Sequence, residues 1–295
     1  VKPSEQGVAI AHLYNEVTGS SVSAAGLNER AKKVLSKVAQ ELKAAQGKSL
    51  VVSASNNVNE QLMVNAINNS LGNYGNTIDM STPSYQRQGN DADLKGLVDE
   101  IKAGSVDMLM LFGANPVYDS AYGVQFAESL SKVKTKISFA QVNDESTDLC
   151  DIVAPNHHFL ESWGDVEAKK GYFTLIQPTI SPLFNTRQVE LSLLIWAAST
   201  NVDITKEQPY YEYLKESWKS GPFTSQSEYA SFQSFWDHVV HDGIYNVSNT
   251  SAPSFTSVEI GSDITKPATS EIEISYFETV HMANGQYAGN PWLME

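Results

Sequence analysis

Three stretches concentrate side chains able to do chemistry. Pro155-Asn156-His157-His158-Phe159-Leu160-Glu161-Ser162-Trp163-Gly164-Asp165 holds two imidazoles, two carboxylates and an indole. An imidazole with carboxylates can ligate a metal. Adjacent residues of an extended chain point to opposite sides, however, so His157 and His158 together make a poor chelate. The competing expectation is a buried loop whose polar groups bond the backbone. Gly113-Ala114-Asn115-Pro116-Val117-Tyr118 offers a bare backbone for close approach of a ligand and the Asn115 amide to bond it, while turn chemistry alone accounts for the same residues. In Asn143-Asp144-Glu145-Ser146-Thr147 the acidic residues could accept hydrogen bonds from a ribose or guanine. Equally, Asp144 could only cap a short helix.

Other candidates are weaker. His238 and His241, three apart near a helix end, could share a face, with Asp237 or Asp242 as the only evident acid, and read as a solvated helix end. Cys150 lies in an apolar stretch that suits an inert thiol. No Ser-His-Asp set has a nucleophile elbow. The turn Ser53-Ala54-Ser55-Asn56-Asn57-Val58-Asn59 lacks GxGxxG, and GxxxxGK[ST] occurs nowhere, which argues against an ordinary nicotinamide or nucleoside triphosphate site.

The elements that must position these residues follow from periodicity. Leu27, Ala31, Val34, Leu35, Val38 and Leu42 recur at helical spacing over 27–46. An apolar run at 49–54 reads as a strand, 58–71 as a helix and 77–80 as a second strand. Residues 81–90 read as a loop, and 92–103 as a helix capped by Asp91. Residues 106–112 form a continuous apolar strand of the kind that a parallel sheet covered on both faces requires. A helix at 120–132, a strand at 136–140, a short turn at 144–149 and a strand at 151–154 repeat the alternation, which implies a parallel sheet. Ligands of such sheets bind beyond the carboxyl ends of strands. Residues 156–186 read as irregular, with helices at 187–199, 207–219 and 228–240. A long Ser/Thr/Pro loop spans 246–270, and 271–277 alternates like a strand. The expected class is α/β: a Rossmann-like parallel sheet with flanking helices, then an irregular and helical C-terminal half. The expected domains are a helical segment at 1–47, the α/β core at 48–155 and an extension at 156–295.

Composition narrows the function. The chain has 295 residues, with 34 Asp+Glu against 20 Lys+Arg for a formal charge of -14. That balance argues against a nucleic-acid partner, whose phosphates demand a basic surface. Arginine, the usual bidentate phosphate clamp, occurs only at positions 30, 87 and 187. One cysteine permits neither an internal disulfide nor a cysteine-ligated zinc or iron–sulfur centre within these residues. No apolar run reaches the length of a membrane span. Val1 at the start and Pro291-Trp292-Leu293-Met294-Glu295 at the close are the ends expected of a segment of a longer polypeptide.

Three motifs in order carry a family resemblance. Gly113-Ala114-Asn115-Pro116 resembles the G-x-N-P turn of molybdopterin oxidoreductases. Residues 145–155 resemble that superfamily's E-T-A-x-x-A-D-v-v-L-P, departing at Ser146, Thr147, Cys150 and Ala154. Leu160-Glu161-Ser162-Trp163-Gly164-Asp165, then Gly171 and Gln177-Pro178-Thr179-Ile180-Ser181-Pro182-Leu183-Phe184, is similar to the signature of one branch: the Tat-translocated, molybdopterin-oxidoreductase-like iron–sulfur subunit of alternative complex III. Asn290-Pro291-Trp292-Leu293-Met294-Glu295 is similar to its N-x-W-L-q-E string. The resemblance spans about 48–295 and implies a middle domain of that superfamily. It implies a subunit of a periplasmic, membrane-attached complex that oxidises quinol and passes electrons through iron–sulfur clusters and haem c. The partners implied are the iron–sulfur domain of the same polypeptide, which would hold the clusters, and the haem c and membrane quinol-oxidising subunits. The branch implies no molybdenum cofactor and a non-catalytic scaffold. The wider superfamily would instead place a molybdopterin guanine dinucleotide near Gly113, Asn115, Asp144, Glu145, Ser146 and Thr147. Without that cofactor these residues would be architectural.

Overall fold

A computed structural model describes residues 1–86, 88–247, 251–256, 258–268, 270–285 and 287–295. Arg87 in the expected 81–90 loop, and 248–250, 257 and 269 in the expected 246–270 loop, lie outside the described residues. The chain forms two compact units, Val1–Pro83 with Thr250–Phe277, and Ser84–Asn249 with Glu278–Glu295.

In the first unit α1 (Gln6–Thr18) packs on α2 (Glu29–Ala44) and α3 (Val58–Ser70). Leu13 and Val17 of α1 meet Ala39 of α2 and Ile67 of α3 in one core cluster. Asn28 starts α2 by accepting from the Ala31 amide at 2.8 Å, and Asn57 starts α3 in the same way from Asn59 and Glu60. The apolar run 49–54 is not a strand. The Asn68 side chain of α3 takes the place of a neighbouring strand, accepting from Val51 N at 3.0 Å and donating to Val51 O at 2.7 Å. The expected strand at 77–80 reduces to one isolated bridge, Tyr74 with Ile78. The alternating segment 271–277 forms no strand pairing among the described residues, and Ile272 and Tyr276 stand 81% and 90% exposed.

The second unit carries the expected α/β architecture. Helix α4 (Asp91–Lys102) is capped by Asn90 rather than Asp91. Strands β1 (Met108–Leu111), β2 (Thr135–Ser138) and β3 (Ile152–Val153) form a parallel sheet in that order. Between β1 and β2 lie α5 (Pro116–Asp119) and α6 (Gly123–Ser129). Leu109 and Leu111 of β1 pack with Val98 and Ile101 of α4 and Phe126 of α6. On the other face Ile137 and Phe139 meet Val189 of α7 (Val189–Trp196). That cover stops short of β1, where Met108 and Met110 remain 52% and 40% exposed, so the expectation of a strand buried on both faces is corrected.

The expectation of irregular chain over 156–186 is corrected too. Strands β4 (Gly164–Lys169) and β5 (Tyr172–Ile176) form an antiparallel hairpin, extended by β6 (Ile244–Asn246). Gly171, at φ +80°, supplies the left-handed residue of the turn. Helices α8 (Pro209–Ser220) and α9 (Phe232–Asp242) contribute Leu214, Trp218, Phe235 and Trp236 to an aromatic core that takes in Phe173 and Leu175 of β5. The chain closes with α10 (Pro291–Met294). Among the described residues no helix is long and apolar enough to cross a membrane.

Candidate functional site

The turns after β1 and β2 lie together at the carboxyl end of the parallel sheet, where open α/β sheets receive ligands. Gly113 follows β1 at φ +62°, with nothing within 4 Å of where a Cβ would stand. It is there for the left-handed backbone, not for a crowded approach. Pro116 then fixes the first turn of α5, whose Tyr118 and Asp119 amides bond the Asn115 carbonyl.

The Asn115 side chain laces the two turns together. Its Nδ2 donates to Glu145 Oε2 at 2.7 Å. Its Oδ1 accepts from Ser146 Oγ at 2.6 Å and from Ser146 N at 3.2 Å. Ser146 Oγ in turn accepts from Val117 N at 3.1 Å. Asp144 Oδ1 accepts from Thr147 N at 2.8 Å, the capping role weighed for it, and Thr147 Oγ1 meets Ser138 Oγ at 2.8 Å. Ser146 and Thr147 are 1% and 3% exposed. The structure therefore brings all six candidate residues to one place and links Asn115 to Ser146, and Thr147 to Ser138, by hydrogen bonds.

Two adjoining crevices remain, of about 630 and 460 Å³, both lined by Asn115, Tyr118 and Asp144. The first adds Glu145 and Asp148, the second Asp119, and among the described residues no lysine or arginine lines either. The Asn115 hydrogen bond holds the Glu145 carboxyl below its ordinary range. Burial raises the Asp119 carboxyl, and the charge of Asp144 raises it further, against hydrogen bonds from Asn115 and Asn284. Such walls suit neutral or cationic donors, whereas a pyrophosphate is held by cations or a nest of backbone amides. Tyr118, Asp119 and Asp148 were not singled out from the sequence, although the first two simply continue the Asn115 turn. Gly285, Ala288 and Gly289 also line the larger crevice, and nothing in their sequence marks them.

The remaining candidates hydrogen-bond within the protein. His157 Nδ1 bonds Thr186 Oγ1 at 2.6 Å, while both oxygens of Glu161 take backbone amides, from His158 at 2.9 Å and Leu183 at 3.0 Å. Those amides hold the Glu161 carboxyl below its usual range. Asp165 accepts from Trp218 Nε1 at 2.7 Å. His238 and His241 both bond Asp242, at 3.0 and 2.7 Å, at the end of α9. Among the described residues no group of three or more His, Cys, Asp or Glu could hold a metal ion. Burial pushes the Cys150 thiol up, away from the reactive thiolate.

No family model matches the chain. It is 31% identical over 107 residues to the menaquinone reductase, molybdopterin-binding-like subunit of Nitratidesulfovibrio vulgaris (strain Hildenborough), a match covering 35% of this chain. The matched part spans 16% of that relative's length. The relationship that this shared sequence supports is to the molybdopterin-oxidoreductase-like proteins.

Proposed function

We propose that this chain is part of a respiratory electron-transfer subunit, of the alternative complex III type, and that it serves there as a non-catalytic scaffold without a pterin. The relative's printed name supports the quinone-linked setting. The observation that carries the scaffold reading is the Asn115 side chain, spent on Glu145 and Ser146 beside crevices walled by carboxylates. On this reading the second unit is Rossmann-like in descent, and its strand-end turns hold the sheet together. The iron–sulfur clusters lie in a further domain of the same polypeptide. Haem c and membrane quinol-oxidising subunits are its partners, on the periplasmic face of the membrane.

A second reading has one observation in its favour. Asp144, Glu145 and Asp148 line a single crevice at the strand ends, and carboxylates there suit the N–H donors of a guanine. It would make this region the guanine-binding arm of an active molybdenum enzyme. Calorimetric titration of the chain with GDP separates the two. The scaffold reading predicts no saturable heat at millimolar nucleotide. Saturable binding that disappears in Asp144→Ala would refute it.

A further inference from the structure

A distant piece of sequence straps the first unit. Residues 258–268 contain no helix or strand, yet they lie across the amino end of α3. Gly261 N donates to Asn59 Oδ1 at 2.8 Å. The side-chain amides of Asn57 and Asn59 both donate to the Asp263 carbonyl, at 3.0 and 2.9 Å. Thr265 N donates to Glu60 Oε1 at 2.7 Å. Ile264 is 6% exposed and enters the core beside Val8, Leu27 and Met63. Further on, Ala268 N bonds Ser4 Oγ at 3.0 Å, and Ser4 itself bonds Glu273.

Two buried groups meet the strap from beneath. Glu60 is fully buried; burial works against its charge, while hydrogen bonds from Ser55 and Thr265 outweigh it and hold the carboxyl below its ordinary range. Gly7 of α1 lies so close that a Cβ there would collide with Glu60 Oε1 and with the Thr265 backbone. The strap's own hold is mostly hydrogen bonds between side chains and backbone, with Ile264 its one buried apolar side chain and Ile260 partly buried against the same core. The helices keep a separate core of Leu13, Val17, Ala39, Ile67 and Leu71, to which the strap contributes nothing. Segments with few buried apolar contacts open below the global unfolding free energy.

We propose that residues 258–268 are a latch, which opens and recloses over the amino end of α3 while α1–α3 stay folded. Closed, it consumes Asn57, Asn59 and Glu60. The inference is independent of the proposed respiratory role.

Hydrogen exchange on the full chain tests it. Asn59→Ala removes two strap hydrogen bonds, worth about fivefold each in the opening equilibrium. Exchange of the Thr265 amide should therefore rise roughly twenty-five-fold, with Met63, Ile67 and Ala11 unchanged. Gly7→Ala should open the strap further and expose 258–268 to limited proteolysis. If Gly7→Ala does not fold, Asn59→Ala alone decides. Unchanged strap exchange in Asn59→Ala would overturn the proposal, as would exchange in α1 and α3 that rises in step with the strap.

Discussion

Replacing Asn115 by alanine separates an architectural asparagine from one kept for a ligand. Its Oδ1 is the acceptor for both the amide and the hydroxyl of Ser146, and Ser146 is 1% exposed, so neither donor can turn to water. A buried donor left without a partner costs about 1–3 kcal/mol. The hydroxyl can rotate and recover part of its share, and the exposed bond to Glu145 adds little, so the expected loss for Asn115→Ala is about 2–4 kcal/mol. Asn115→Asp keeps both acceptors but sets a carboxylate against Glu145, and should lose about 1 kcal/mol. The two compact units need not unfold together, so a single urea midpoint is a poor readout. Amide exchange at Val117 and Ser146, followed alongside urea unfolding, reports the laced turns directly. A loss under about 0.5 kcal/mol with unchanged protection would refute the reasoning, because it would mean that the Asn115 amide stabilises nothing in the chain alone.

Two further outcomes follow from the same geometry. Trp218 is 1% exposed, donates to Asp165 and sits edge-on to Trp236 at 5.9 Å. Trp218→Phe should cost about 2 kcal/mol through lost ring volume and the lost hydrogen bond, read as an earlier urea transition of the second unit's tryptophan fluorescence; an unchanged midpoint would count against the aromatic core as its main support. Burial raises the folded Asp119 carboxyl above its unfolded value, so its contribution is fully present below the unfolded pKa and is lost as pH rises through the raised folded one. Asp119→Asn should therefore be more stable than the parent once the pH exceeds that raised folded pKa, with the gain vanishing in acid; a gain that is the same at every pH would contradict that cause.

How much the sequence reveals depends on whether an element's partner is visible in it. Met108–Leu111 reads as a strand because its apolar run is continuous and β2 is there to pair with it. The run 49–54 reads just as well and forms no ladder, since the Asn68 amide of α3 satisfies Val51 in place of a neighbouring strand. The alternation of Ile272, Ile274 and Tyr276 misleads for a related reason, because period two records one apolar face but not what covers it. The β4–β5 hairpin carried a usable signal: Tyr172-Phe173-Thr174-Leu175-Ile176 after Gly171 is strand-forming sequence after a turn residue. The aromatic and Gly/Pro-rich surroundings hid it. At the site, the motifs located the turns that meet, and turn chemistry supplied the reading of Gly113, Pro116 and Asp144. The tie from Asn115 to Ser146 spans 31 positions, and no local pattern encodes it.

The scaffold account is tested most directly by the molybdenum and pterin content of the full-length subunit purified from its host. Metal analysis by mass spectrometry and the fluorescence of oxidised pterin should both fall far below one equivalent per chain. One molybdenum and one pterin per chain would contradict it.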